Sequence, residues 1–288
     1  MFEGVYTAIV TPFTASGAVD YDRLAEHVDR QVKSGVDGVV PVGTTGESPT
    51  VNPDEHVRII QTTVQAANKR IKIVAGTGAN STEEALELTS AAKELGVDGT
   101  LQVTPYYNKP NRSGLVQHFT RVADLGVPVM LYNVPGRSAK ALSMDLIAEL
   151  SEHDHIVSVK EAGGSADRVS QILTMCDIDV VSGDDPLTLP MMAVGAVGVV
   201  SVASNIVPEI VCDIVNSAAN GDFVRARQHH LEYHRLFSGM FMETNPIPVK
   251  TALAMLGRME EEFRLPLAPL EETEREKLEK LLTDYNLL

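Results

Sequence analysis

The sequence has 288 residues, of which 44% are hydrophobic and 22% charged, and its net charge is −15. That length and apolar content suffice for one large domain, or two ordinary ones, with a full core. The excess of 39 acidic over 24 basic residues disfavours nucleic acid and anionic membrane surfaces as partners, because phosphates recruit basic patches.

An anionic substrate would therefore need local positive groups. Cys176 and Cys212 are far apart and in no metal-ligand spacing. They indicate a reduced, cytoplasmic setting without disulfides. The start, Met1-Phe2-Glu3-Gly4, has neither a basic segment nor a long apolar run, so no signal peptide is expected. Leu187–Pro208 is uncharged, but Pro190, Gly195, Gly198, Ser204 and Asn205 interrupt it. It reads as a helix, a turn and a buried strand, not as a membrane span.

Strand and helix alternate along the chain. Gly4–Phe13 reads as a first apolar strand, followed by a helix near Asp22–Lys33 with Leu24, Val28 and Val32 on one face. Gly38–Gly43 is a second strand. Asn52-Pro53-Asp54-Glu55 has the form of a helix start: an Asn cap, Pro at the first position and Glu at the third. Ile71–Gly78 is a third strand, and Ser81 with Glu84 opens the next helix.

Gly99–Tyr107 and Val127–Pro135 are the fourth and fifth strands, with a helix between them near Gly114–Ala123. Ser143 opens a helix that ends near Ser151. A sixth strand begins at Ile156, and Asp179–Ser182 and Gly198–Ala203 complete eight. The junctions Gly35-Val-Asp-Gly38 and Gly195-Ala-Val-Gly198 repeat one pattern, with Gly96-Val-Asp-Gly99 a near copy. In each, the first glycine can end a helix and a strand starts after the second. Eight such units predict an α/β fold, a (β/α)8 TIM barrel over residues 1–221. Residues 222–288 carry only helical patterns, at Phe223–Met242, Pro248–Leu256 and Glu272–Asp284, and form a small C-terminal helical region.

In such barrels the chemistry sits at the C-terminal ends of the strands. The sixth strand, Ile156-Val157-Ser158-Val159-Lys160-Glu161, is apolar and β-branched until it ends on a lysine. A buried ammonium must find a partner or lose its proton, and a neutral lysine attacks carbonyl carbons. The ordinary alternative is a strand-end lysine that reaches solvent. The other strand ends offer Thr44 and Thr45 in a Gly-bounded turn, Tyr106 and Tyr107, Tyr132, and Arg137. Their hydroxyls, phenols and guanidinium suit imine chemistry on a keto acid: proton relay, and grips for two carboxylates. Taken alone, Tyr106 and Tyr107 also read as packing aromatics, and Arg137 as a solvated loop residue. His230 and His234 are four apart but lack the carboxylate of a zinc motif, and no histidine lies on a strand end. No metal is expected. Asp184-Asp185, after the seventh strand, could bind a cation but reads better as an organiser of its own loop.

Three stretches carry a resemblance. They are Gly43-Thr44-Thr45-Gly46-Glu47, Tyr132-Asn133-Val134-Pro135-Gly136-Arg137 and Val159-Lys160-Glu161-Ala162. The chain resembles the pyruvate-dependent class I aldolase superfamily and, within it, the dihydrodipicolinate synthase family. Arg137 after Asn-Val-Pro-Gly and Thr104-Pro105-Tyr106-Tyr107-Asn108 favour that family over its sister lyases. The likeness extends to Ala75–Asn80 and to Asn245–Lys250.

The resemblance implies that pyruvate forms an imine on Lys160 with no other cofactor, and that its enamine attacks L-aspartate 4-semialdehyde. It implies a proton relay of Thr44, Tyr132 and Tyr107, the last supplied by a neighbouring subunit. Thr45 would hold the pyruvate carboxylate and Arg137 that of the semialdehyde, while Gly183 and the Val200 carbonyl line the pocket. It further implies a homotetramer built as a dimer of dimers, and a role in lysine and diaminopimelate biosynthesis. An effector site for lysine maps to Ser48, Pro49, Pro53, His56, Asn80, Glu84 and Tyr106. Here Pro53 replaces the His or aromatic of many lysine-sensitive members, Pro49 is a second departure, and Ser138-Ala139 lacks a glycine common there. The alternatives are an N-acetylneuraminate or 2-keto-3-deoxy sugar acid lyase, a non-catalytic barrel that senses a small anion, and a metal-dependent hydrolase.

Overall fold

The computed structural model describes all 288 residues. Eight parallel strands close on themselves in chain order. They are β1 Gly4–Ala8, β2 Gly38–Val40, β3 Lys72–Gly76, β4 Gly99–Val103, β5 Val129–Asn133, β6 Ile156–Glu161, β7 Asp179–Ser182 and β8 Gly198–Ser201. The barrel seam pairs Tyr6 with Val200 and Thr7 with Ser201. The predicted (β/α)8 barrel is therefore the fold.

The helices follow local rules. In chain order they begin with α1 Tyr21–Lys33, α2 Pro53–Ala67, α3 Thr82–Glu94 and α4 Arg112–Ala123. The short α5 Pro135–Ser138, α6 Met144–Ser151, α7 Ala166–Leu173, α8 Thr188–Met192 and α9 Pro208–Ala219 complete the barrel. At α2 the expected start is realised as a full capping box. The Asn52 side chain accepts from the Glu55 N–H, and Glu55 accepts from the Asn52 N–H. At α6 the Ser143 side chain makes no cap bond. Neither α7 nor α9 stands out in the sequence. The first is a short polar-rich pattern, and the second begins at Pro208, where the uncharged run ends.

Several strands are shorter than their apolar runs. Beyond Ala8 the last barrel bond is from the Ile9 N–H to the Val40 carbonyl, and Val10 and Phe13 stay buried outside the barrel ladder. The Asn205 side chain holds this segment, donating to the Ala8 carbonyl and accepting from the Val10 N–H. This segment is apolar because it packs in a cluster shared by the barrel wall and the C-terminal helices, so hydropathy overstates strand length.

Inside the barrel, Phe2, Tyr6, Val40, Val74, Leu101, Met130, Val181 and Val200 form a packed floor, with Tyr132 at its upper edge. Phe2 and Tyr6 meet edge to face, 6.0 Å apart. The C-terminal helices are α10 Phe223–Gly239, α11 Ile247–Met255 and α12 Glu272–Asp284. Their residues Leu236, Phe237, Val249, Leu253, Leu278 and Leu282 share one apolar cluster with Val5, Ile9 and Phe13 of the barrel. This region packs against the outside of the barrel wall and shares its core.

Candidate active site

Strand alternation and register together place Lys160. Lys160 on β6 is the direct register partner of Tyr132 on β5 and of Val181 on β7. Tyr132 and Val181 belong to the interior cluster, so Lys160 points into the barrel. Its ammonium nitrogen lies 4.3 Å from the centre of the Tyr132 ring. The next register pair, Asn133 and Glu161, makes its hydrogen bonds outside that cluster. Glu161 accepts from the Asn133 amide at 2.8 and 3.0 Å and from the Gly163 N–H at 2.6 Å, and pairs with Arg168 at 3.1 Å. This buried carboxylate ties β5 to β6 directly beside the lysine.

Gly183, just after β7, gives the Lys160 side chain its path. A Cβ at Gly183 would lie 2.9 Å from the lysine Cε and 3.2 Å from its Cγ. Lys160 is only 6% exposed. Burial draws its pKa down from 10.5 to about 7. Asp185 pulls it back up, and Arg137 pushes it further down. A substantial fraction of the amine is therefore neutral at physiological pH. Burial raises the Tyr132 pKa, opposed by Arg137 and by a hydrogen bond with the Thr44 hydroxyl. Thr44, Tyr132 and Lys160 thus form one contiguous set.

The β2–α2 loop supplies the anion side. Thr44–Gly46 is a single 3-10 turn opened by Gly43. The N–H groups of Thr44 and Thr45 have no backbone acceptor. Thr45 is buried, and its hydroxyl accepts from the Asn245 amide at 3.0 Å. Arg137 sits on α5 at the rim and donates to the Asn245 carbonyl at 3.0 Å. One residue of the C-terminal region therefore braces both groups expected to hold carboxylates. The Val200 backbone lies in β8, in register with Tyr6.

Asp185 is buried and accepts from the Val202 and Ala203 N–H groups, both at 3.0 Å. It ties the loop after β7 to the turn after β8, where its sequence position suggests an organiser of its own loop. Tyr107 stands apart from this set. It is 90% exposed and holds a left-handed backbone with φ of 71°. Within one protomer it projects away from the barrel.

The remaining predicted cluster also assembles. Ser48, Pro49, Pro53, His56, Glu84 and Tyr106 line a cavity of about 330 Å³, joined by Val51, Gly78 and Leu88. Asn80 does not line it but donates to the Tyr106 carbonyl at 3.3 Å. The buried His56 bonds through Nε2 to the Gly76 carbonyl at 2.8 Å, and burial lowers its pKa to about 4. In α10, His229 meets Asp213 at 2.9 Å, and the His230 and His234 rings contact each other.

Sequence reasoning did not assign Asn245, Glu161 or the pairing of Glu47 with Lys250. Asn245 and Lys250 lay within a motif that carried the resemblance, but their partners are about two hundred residues away. Only a lysine and a glutamate inside otherwise apolar or glycine-rich stretches signalled them.

Comparison with known proteins agrees with this geometry. Residues 1–285 match the dihydrodipicolinate synthetase family model. The 4-hydroxy-tetrahydrodipicolinate synthase of Geobacter sulfurreducens is 49% identical over 291 residues, covering the whole of both chains. The crystal structure of dihydrodipicolinate synthase from Aquifex aeolicus superposes with a TM-score of 0.98 at 48% identity, covering 99% of each chain. The chloride-inhibited synthase of Acinetobacter baumannii, crystallised with pyruvate, gives a TM-score of 0.98 at 42% identity over the whole of both chains. The chain belongs to the dihydrodipicolinate synthetase family.

Proposed function

We propose that the protein is a Schiff-base lyase of the 4-hydroxy-tetrahydrodipicolinate synthase type. It condenses pyruvate with L-aspartate 4-semialdehyde in lysine and diaminopimelate biosynthesis, in the cytoplasm. The observation that carries this reading is the buried Lys160 amine, its pKa near 7, set against a phenol in register with it.

The neutral amine attacks the C2 carbonyl of pyruvate, and the carbinolamine loses water to give an iminium. Loss of a methyl proton gives the enamine, whose carbon attacks the aldehyde. The amino group of the semialdehyde then displaces Lys160 at the imine carbon, which closes the ring and frees the enzyme. Tyr132, Thr44 and Tyr107 relay the protons. Thr45 and the free N–H groups of its turn hold the pyruvate carboxylate. Arg137 grips the semialdehyde carboxylate. Gly183 and the Val200 carbonyl shape the pocket wall. The reaction needs no cofactor beyond the imine itself.

The exposure of Tyr107 supports its delivery to the site of a second copy, in a tetramer built as a dimer of dimers. We assign the cavity of Ser48, Pro49, His56, Glu84 and Tyr106, with Asn80 bracing Tyr106, to lysine. The Glu84 carboxylate and the ring nitrogen of His56 left free by its Gly76 bond suit an ammonium group. Arg137 favours a carboxylate-bearing aldehyde over the hydroxyl-rich substrate of a sugar acid lyase.

Borohydride reduction in the presence of pyruvate is the test. One adduct should form, on the peptide that carries Lys160. No label, or label on Lys250, overturns the assignment. Aspartate semialdehyde should react far faster than sugar acids, and activity should survive chelation.

A further inference from the structure

The turn that carries Thr44 and Thr45 is anchored from outside the barrel. It ends on Glu47, which holds a left-handed backbone with φ of 57° and ψ of 35°. A glutamate gains nothing from that conformation, which costs L-residues with a Cβ. Its side chain explains why it stays. The Glu47 carboxylate is buried, and its Oε1 accepts from the Lys250 ammonium at 2.5 Å. Its Oε2 accepts from the Arg264 N–H at 3.2 Å. Lys250 is fully buried on α11, its nitrogen 4.2 Å from the Phe13 ring centre and 5.0 Å from that of Phe263.

Arg264 completes the anchor. Its guanidinium lies 4.5 Å over the same Phe13 ring and donates to the Gly17 and Thr50 carbonyls. It also pairs with Glu55 at 2.6 Å, the residue that closes the α2 capping box. Behind the turn, the Thr11 hydroxyl donates to the Gly46 carbonyl at 2.7 Å. Both side-chain tethers of Glu47 therefore come from residues 250–264, while the Thr44 and Thr45 N–H groups of the same turn have no backbone acceptor.

We propose that Glu47 and Lys250 are positioning residues of the imine reaction. Their buried ion pair fixes the Thr44–Glu47 turn so that Thr45 and its N–H groups meet the pyruvate carboxylate. Asn245, on the same C-terminal segment, donates to the Thr45 hydroxyl. The C-terminal region is thereby part of the frame of the pyruvate site. This rests on the assignment of pyruvate to Lys160 and Thr45.

The test separates positioning from mere structural support. Glu47→Gln is shape-conserving but uncharged. In the folded variant, the pyruvate concentration for half-maximal borohydride trapping should rise about tenfold, the scale expected for a small misplacement of a binding group. The kcat at saturating pyruvate should stay within about threefold of wild type. A purely structural role would lower Tm and leave the half-saturation point unchanged, and that result overturns the proposal. Should Glu47→Gln not fold, the pair Glu47→Gln/Lys250→Gln leaves no unpaired buried charge. In that variant a rise of about threefold is expected, and an unshifted half-saturation point again overturns the proposal. Wild-type protein labelled in parallel keeps the two claims apart. Absence of its Lys160 label refutes the imine itself, whereas its presence leaves only the role of Glu47 and Lys250 under test.

Discussion

Two lysines lie inside this protein, with opposite neighbours. Lys250 has a carboxylate oxygen at 2.5 Å, two aromatic faces and no exposure. Lys160 has one aromatic face at 4.3 Å, a glycine along its stem, and only longer-range attraction from Asp185. Burial acts on both amines in the same direction. What separates them is whether a counter-charge was buried too. A lysine buried with a partner is a strut, and a lysine buried without one is a nucleophile.

The largest effect that probes this contrast is loss of the nucleophile. Lys160→Met should lower turnover by at least about 10⁴-fold and abolish the pyruvate adduct. Measurable trapping elsewhere in the chain would break the comparison. The same substitution should stabilise the fold. Below pH 7 Lys160 is protonated in both folded and unfolded chains, so folding then carries the full cost of burying its charge. Between about 7 and 10.5 only the unfolded chain holds the proton, and stability rises with pH by about 1.4 kcal/mol per unit. Lys160→Met relieves part of that cost, and stability at pH 7 should rise by about 1–2 kcal/mol, the usual yield of replacing a strained functional residue.

The opposite sign is expected for the partner case. Lys250→Met leaves Glu47 buried without its ammonium and should destabilise by about 3–5 kcal/mol. Urea denaturation reads both values. Two shifts of the same sign would show that pairing is not what distinguishes the two sites.

The same comparison shows what the sequence could disclose. Lys160 stood out because its partners follow the barrel's strand order, so that register alone brings Tyr132 beside it. Thr44, Thr45, Tyr132 and Arg137 were readable for the same reason, whereas Tyr106 lines the other cavity and Tyr107 stands apart. Lys250 sits in an equally apolar run, Ile247–Met255, and carries the same warning. Its partner lies 203 residues away on another layer, and no local pattern joins them. The overlong first strand fails on the same ground. Ile9–Phe13 looks like strand because it is buried, but it is buried in a cluster that joins the barrel wall to the distant C-terminal region.

Tyr107→Phe probes a residue that has no neighbour role within its own chain. It is 90% exposed, so the lost hydroxyl should leave Tm unchanged. If it relays a proton in a second copy, kcat should fall about 100-fold, the lower range for a positioned acid or base. Mixing this variant with Lys160→Met should then restore some activity, because hybrid pairs place an intact tyrosine beside an intact lysine. No recovery in verified hybrids would confine Tyr107 to its own protomer.

Arg137→Ala should give the smallest effect and the sharpest reading of the unpaired amine. Arg137 is expected to hold the semialdehyde carboxylate, and loss of a charged hydrogen bond of about 1.5 kcal/mol raises the KM for that substrate about tenfold. Its charge also lowers the Lys160 pKa. Without it the protonated amine is less disfavoured, so the pKa must rise above 7. The rate of pyruvate trapping, which follows the neutral amine, should keep its plateau at high pH while its midpoint moves up. At pH 7 the variant would therefore form its imine slowly, and at pH 9 about as fast as wild type. A raised KM with an unmoved midpoint would leave desolvation alone as the cause of the low pKa, and Arg137 would touch only the second substrate.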